Sequence, residues 1–354
     1  MNILRFYIGK TILTTSLITL LSLAVIRVLF ALIDQSGDFG QGNYQFIDGL
    51  SYALLLAPKY IYDFFPMAIL IGVIAGLGIL ASRSELTVMR AAGKTTGQIV
   101  GAALSYGSLL IVLAVLLGEF IAPKTTQMAE DLRTRALLGE AVLKGEQGLW
   151  VKDGNKMVHV MEVIGSEKLN QVSIYQFDQT QQLVRITYAE SANLKNAAWQ
   201  LMEGYHTHIS KDIIKREDFS SEWWTTSIKL DHLSVLRLKP ENLNALNLYE
   251  YRNYLHTNGL DTASYDLAFW RKVVQPISTA IMIILAASFI FGPMRTVSMG
   301  ARVLVGVITG MVYFFVVRAF GPVSLVFGLP PVIAAFLPPT LFAGVAWYLL
   351  KKAG

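Results

Sequence analysis

The chain contains no cysteine, which removes disulfide frameworks, thiolate metal sites and thiol nucleophiles together. Charge is scarce as well. Only 16% of the 354 residues are charged and 53% are hydrophobic, against about 25% charged in soluble domains; mean hydropathy is +0.47. Catalytic signatures are missing: no GxxxxGK(S/T) loop to cradle nucleotide phosphates, no HExxH, no EF-hand loop, no GxSxG elbow. No basic stripe with interleaved aromatics occurs, which argues against nucleic acid as a partner. The chain is therefore expected to bind no cofactor and to run no ATP chemistry of its own.

What the chain has instead is long apolar runs. Thr11–Ile33 is a run of 23 residues behind Arg5 and Lys10, longer than the ~20 needed to cross ~30 Å of hydrocarbon. Leu20–Leu32 offers no small-residue cleavage site, so this run reads as a retained anchor. Further runs lie within Pro58–Ser82, Ile99–Ala122, Val273–Gly292, Ala301–Ala319 and Val332–Leu350. Arg5 and Lys10, then Arg83, Arg90 and Lys94, then Arg295, then Lys351 and Lys352 fall on one side of these six spans. By the positive-inside rule that side is cytoplasmic, with both termini inside. The first loop on the other side carries Asp34, Asp38 and Asp48, and Gly321–Pro331 carries no charge. Arg271 and Lys272 fall on the wrong side and read as snorkelling.

Charge separates the segments. Residues 123–272 hold 18 Lys/Arg and 19 Asp/Glu, a net −1, so the remainder carries +6. That polar insert reads as β-rich. Met157–Val163, Val172–Phe177, Leu183–Tyr188, Trp199–His208 and Ser227–Leu238 partly alternate apolar and polar residues between Gly/Asn/Asp turns. Short strands without long helices between them imply a sandwich or jelly-roll, and Leu248–His256 reads as a short helix. The fold class is thus an α-helical membrane protein with six transmembrane helices and an inserted extracytoplasmic β domain, a sandwich or jelly-roll. Its segments are 1–122 (spans one to three), 123–269 (the insert, with a helical linker at about 243–269) and 270–354 (spans four to six).

Candidate sites are few. His206 and His208 share a face if they lie in a strand; lacking a nearby third ligand, an exposed strand face is the better reading than a metal pair. Arg83–Lys94 between spans two and three has helix formers and a Gly93-Lys94 stop, and places Glu85 with Met89 and Leu86 with Arg90 at i, i+4. It reads either as a plain interhelical turn or as a short helix on which an ATPase could pull. Intramembrane charge is costly and usually functional. Arg27 and Arg318, near the outer ends of spans one and five, either snorkel or bind an anionic head group, because Arg forks match phosphate; Glu119 could pair with either. Lys59 and Asp63 form an i, i+4 pair. Gly72/Gly76 and Gly306/Gly310 form GxxxG pairs, and Pro338-Pro339 interrupt the sixth span; together these suggest spans that pack against a partner and move.

Five motifs carry a family resemblance: Tyr7-Ile8-Gly9-Lys10-Thr11; Asp34-Gln35 with Gly40-Gln41-Gly42; Ser82-Arg83-Ser84-Glu85-Leu86-Thr87-Val88-Met89; Gly148-Leu149-Trp150-Val151-Lys152-Asp153-Gly154; and Ser288-Phe289-Ile290-Phe291-Gly292-Pro293. In combination, and nearly end to end, the chain resembles the YjgP/YjgQ permeases of bacterial lipopolysaccharide export, nearer their LptG branch than the sister LptF. The resemblance implies pairing with LptF above a dimer of the ATPase LptB, which uses the ATP and Mg. It implies that the insert is a periplasmic β-jellyroll, and that lipopolysaccharide passes from the outer leaflet of the inner membrane to a periplasmic bridge of LptC, with its transmembrane helix, and LptA. It makes Arg83, Glu85, Met89 and Arg90 the ATPase-coupling residues of a helix at about 83–93, and makes spans one, two and five line a lipid cavity. Acyl chains would meet Phe65, Met67, Ile69, Val305, Ile308 and Met311. Relatives often carry lysines at the end of the first span, where this chain has Ala31–Asp38; that departure moves the head-group expectation to Arg27, Arg133, Arg135 and Arg318. The alternative reading is a membrane-anchored assembly scaffold or sensor that transports nothing.

Overall fold

The computed structural model of the chain describes residues 2–138, 142–164, 168–178, 180, 182–195, 198–209, 214–224, 226, 239–292 and 297–353. The expected strand Ser227–Leu238, with His232, and the topology marker Arg295 lie outside the described residues.

Helix α1 spans Asn2–Asp34, α2 Phe46–Leu55, α3 Ala57–Ser82, α4 Glu85–Ala91 and α5 Thr96–Leu116. A π-helical turn, Leu117–Ile121, then leads into α6, Ala122–Leu138. Beyond the strands come α7, Ala245–Thr257; α8, Ala263–Phe291; α9, Met299–Val326; and α10, Pro331–Ala353. Among the described residues, six helical stretches are long and apolar enough to cross a membrane. The third of them continues past Ala122-Pro123, where sequence reads as a stop. Proline lacks the N–H that an α-helical ladder needs, and the π turn just before it widens the ladder so that the helix can continue.

Helix α3 is the hub. Every residue from Phe65 to Ile74 is buried, because α1, α8 and α9 pack around it. The two GxxxG pairs serve these contacts within the chain rather than a separate partner. A Cβ on Gly72 would stand 2.3 Å from the Ser16 Cα of α1, and one on Gly310 would stand 2.7 Å from the Met67 side chain. The close approach lets the Thr15 hydroxyl donate to the Gly72 carbonyl at 2.7 Å. In contrast, α1 leaves Leu17, Leu21, Val25 and Leu29 exposed, and α9 leaves Leu304, Ile308 and Phe315 exposed.

Among the described residues six antiparallel strands form one sheet in sequence order: β1 Val142–Asp153, β2 Lys156–Ile164, β3 Lys168–Phe177, β4 Leu183–Lys195, β5 Ala198–Ile209 and β6 Ile214–Trp224. Among the described residues the sheet is a meander; the crossovers of a jelly-roll are not seen there. Alternation does not mark β1, whose Lys144–Gly148 stretch is polar and Gly-rich, or β6, whose Arg216–Asp218 triplet is fully charged.

A crease crosses this sheet. Pairing passes from Val172↔Ala189 to Asn170↔Ser191, and from Ala189↔Gly204 to Ser191↔Met202. Gln171, Glu190 and Glu203 therefore sit unpaired along one line, and Gln171 and Glu203 both have φ of 50°. The left-handed residue resets the alternation, which is how Leu169 and Val172, three apart, both become buried. Val158, Val160, Leu169, Val172, Trp199, Leu201 and Trp224 form the buried face, with Tyr254 of α7 against it.

Helices α7 and α8 make an antiparallel hairpin around Leu248, Tyr251, Leu255 and Ala268. At its tip, Asn258 receives the β1–β2 turn: Lys152 Nζ donates to the Asn258 carbonyl at 2.8 Å, and Gly154 N–H donates to Asn258 Oδ1 at 3.2 Å. The Tyr254 hydroxyl also donates to the Lys152 carbonyl. At its base, the carboxylate of Glu119 in the π turn accepts from Ala245 N–H at 2.6 Å and from Lys272 Nζ at 2.8 Å. Lys272 thus has a structural partner inside the chain, and Glu119 pairs with it rather than with Arg27 or Arg318.

Candidate functional site: a cationic cavity beneath the sheet

Helical spacing builds the site. On α3, Lys59 and Asp63 stand four residues apart, as do Tyr60 and Phe64; α6 contributes Thr126 and Glu130, and α9 contributes Phe314 and Arg318 at the same spacing. Each pair therefore projects from one helix face. Arg27 of α1 and Tyr52 of α2 join them, and Lys239 and Asn242 approach from a short 3-10 segment, Pro240–Asn242, that precedes α7. These side chains enclose about 470 Å³. Pockets for small ligands usually fall at ~300–1,000 Å³, so the space suits a head group and is too small for a whole lipid.

The lining is electropositive: Arg27, Lys59, Lys239 and Arg318 against Asp63 and Glu130. Phe64 and Phe314 stack at 4.8 Å and supply an apolar wall. Arg27 lies over the Tyr60 ring at 4.4 Å and 3.4 Å from Asp34. The Tyr52 hydroxyl donates to Glu130 at 3.0 Å; burial, reinforced by that carboxylate, pushes its pKa well above the usual phenol range. Two lining atoms, Thr126 Oγ1 and Asn242 Oδ1, are buried with no hydrogen-bond partner among the described residues, a condition that costs about 1–3 kcal/mol each.

Of the four cations expected from sequence, the structure gathers Arg27 and Arg318 here. Arg133 stands behind Tyr52, 5.7 Å from its ring, with its guanidinium 2.6 Å from Asp38. Arg135 is exposed and outside the cavity. Lys239, Asn242, Thr126 and Glu130 were not picked out from sequence. Lys239-Pro240 looks like any turn, and nothing local shows that the segment returns to the membrane surface.

The expected acyl wall divides. Phe65, Met67 and Ile69 are buried in the helix core and have no free surface to offer, because neighbouring helices enclose the Phe65–Ile74 stretch of α3. Val305, Ile308 and Met311 are exposed along α9. The coupling segment divides in the same way. Helix α4 is entered through Ser84 at φ 62° and anchors itself by burying Leu86 and Met89, so Met89 faces inward. Arg83, Arg90 and Val88 (66% exposed) face out, and Glu85 accepts from the Tyr7 hydroxyl at 3.3 Å. His206 is not on an exposed face: it is 8% exposed, with Nε2 at 2.6 Å from Glu222 and Nδ1 at 2.9 Å from Thr187.

Six long apolar helices, a creased sheet and a cationic cavity at the junction define a multi-pass membrane protein with an anion-suited site at one membrane face. The chain belongs to the lipopolysaccharide export system permease LptF/LptG family, whose sequence profile matches residues 6–352. It is 39% identical over 357 residues to lipopolysaccharide export system permease protein LptG of Escherichia coli strain K12, covering 99% of each chain. It is 37% identical over 353 residues to the protein of the same name from Haemophilus influenzae, again covering 99% of each.

Proposed function

We propose that the chain is an LptG-type permease subunit that extracts lipopolysaccharide from the inner membrane, and that the cavity between α1, α3, α6 and α9 receives its phosphorylated head group. The observation that carries this reading is the concentration of Arg27, Lys59, Lys239 and Arg318 around one head-group-sized space, in a chain of this family. Charge-assisted bonds from Arg forks suit phosphate oxygens. The exposed apolar faces of α1 and α9, including Val305, Ile308 and Met311, would hold acyl chains in a larger chamber shared with LptF.

In this arrangement α4 and both termini are cytoplasmic, as the clustering of Arg83, Arg90, Lys94, Lys351 and Lys352 supports, and the sheet is periplasmic. The LptB dimer docks beneath α4 and supplies ATP hydrolysis with Mg. Closure expels the lipid only if the closed state binds it more weakly than the open one. The crease would separate two leaves of a β-jellyroll, and that domain would lie on the route to LptC and LptA.

The test is site-specific photo-cross-linking in the assembled transporter, with probes at Arg318 and Ile308. Lipopolysaccharide adducts at both positions, lost on ATP-driven closure, are expected. Adducts at neither would remove the cavity from the transport route and favour a scaffold that does not carry lipid.

A further inference from the structure

We infer that the 3-10 segment between the sheet and α7 is part of the binding site: Lys239 contributes a phosphate contact, and Asn242, with Thr126, contacts the hydroxyl or amide groups of a phosphorylated amino sugar. The inference rests on the cavity reading above and adds to it an element of the insert, not of the spans.

Three observations carry it. First, Lys239 and Asn242 line the same space as Arg318 and Lys59, so the cavity is walled on its outer side by the polar insert. Second, Lys239 is exposed and enters no ion pair among the described residues, whereas Arg27 and Arg133 are each bonded to an aspartate. Its charge is available to a ligand without breaking an internal contact. Third, Thr126 is 1% exposed and, among the described residues, neither its hydroxyl nor the buried Asn242 Oδ1 has a hydrogen-bond partner. Buried polar groups are normally satisfied. A ligand that brings only phosphate would serve the cations and leave Asn242 Oδ1 without a donor; sugar hydroxyls and amides would satisfy both atoms.

The position of the segment has a further effect. Asn244 caps α7 by accepting from Asn247 N–H at 2.7 Å, and the next residue, Ala245, is held by Glu119. Head-group contacts on Lys239 and Asn242 therefore bear directly on the start of the hairpin whose tip holds the sheet.

The experiment uses the full transporter with both permeases and the ATPase, and lipopolysaccharide as ligand. A photo-cross-linker replaces Lys239 in one version and Arg318 in another; separately, retention of lipopolysaccharide through purification is measured for Lys239→Ala, Lys239→Glu and Lys239→Arg. Expected are adducts at both positions, and retention roughly two- to fivefold lower in Lys239→Ala, as suits one exposed ion pair, lower still in Lys239→Glu and restored in Lys239→Arg. Adducts at Arg318 with none at Lys239, and unchanged retention in Lys239→Glu, would overturn this inference and leave the cavity reading standing. Adducts at neither would overturn both. For Asn242 and Thr126, an Asn242→Leu, Thr126→Val double variant should lose retention of lipopolysaccharide more than that of phosphatidylglycerol; equal losses would overturn the sugar assignment.

Discussion

Lys272 and Glu119, more than 150 positions apart in sequence, meet at 2.8 Å where the third and fourth spans leave the membrane. Both are largely enclosed, with side-chain exposures of 9% and 22%. Lys272 also donates to the Gly118 carbonyl at 3.1 Å and lies 5.3 Å from the Tyr62 ring.

Breaking a pair of this kind strands the surviving charge. Glu119→Gln or Lys272→Met alone is expected to cost about 2–4 kcal/mol, and the double substitution less than the sum of the two. Thermal melting of the detergent-solubilised protein supplies the double-mutant cycle. Strict additivity would mean that the contact contributes no coupling.

Helix α4 presents Val88 and Arg90 outward from an anchor made by Leu86 and Met89, and Arg83, just before it, is exposed as well. Glu85→Lys and Val88→Asp are expected to reduce co-purification of the ATPase by roughly tenfold, the equivalent of ~1.4 kcal/mol. Expression and melting should stay unchanged. Met89→Ala should instead lower the melting temperature, because it removes buried volume. Normal ATPase recovery with Glu85→Lys would move the coupling contact elsewhere.

The α1–α3 seam has no room for a side chain at Gly72, since the obstacle is backbone of α1 as well as the Ser16 side chain. Gly72→Val is expected to destabilise the fold by about 1–3 kcal/mol, the usual cost of overpacking, and to break the Thr15 hydroxyl contact. Gly101, which has nothing within 4 Å of its Cβ position among the described residues, should accept alanine at no cost. The two melting curves, measured side by side, decide it.

On the crease of the sheet, the Glu190 carboxyl is held above the ordinary carboxylate range, first by its hydrogen bond with Glu203 and then by that residue's charge. A raised carboxyl pKa stabilises the folded sheet when protonated, and that contribution is lost as pH rises through the raised value. Glu203→Gln is therefore expected to increase amide protection in β4 and β5 at pH 7 and to add little at pH 4. Hydrogen–deuterium exchange at the two pH values is the check. An equal gain at both would assign the effect to packing instead of charge.

The spans could be read directly because hydrocarbon demands apolar length, and Thr11–Ile33 or Val332–Leu350 can satisfy it in no other way. Strands β2 to β5 were visible through alternation. Strands β1 and β6 were hidden because their positions are set by neighbouring strands and not by their own composition. Half of the cationic site was legible, since Arg27 and Arg318 stand out against an apolar background. Lys239 did not stand out, because a lysine beside a proline in a polar segment is ordinary; only the return of the chain to the membrane surface gives it a place. The inward turn of Phe65, Met67 and Ile69 was equally hidden. A span that is apolar on every side shows no preference for lipid or protein until its neighbours are known.

Helix α7 has 13 residues, which at 1.5 Å per residue makes it about 20 Å long. Fixed at one end by Glu119 and holding the β1–β2 turn at the other, it works as an arm. A tilt of about 10° at the base carries the tip about 3.5 Å, a large part of the ~4.8 Å between neighbouring strands. A rearrangement of the spans too small to disturb the core around α3 would thus be magnified into a displacement of the sheet, so that the sheet moves in step with the helices without needing a motor of its own.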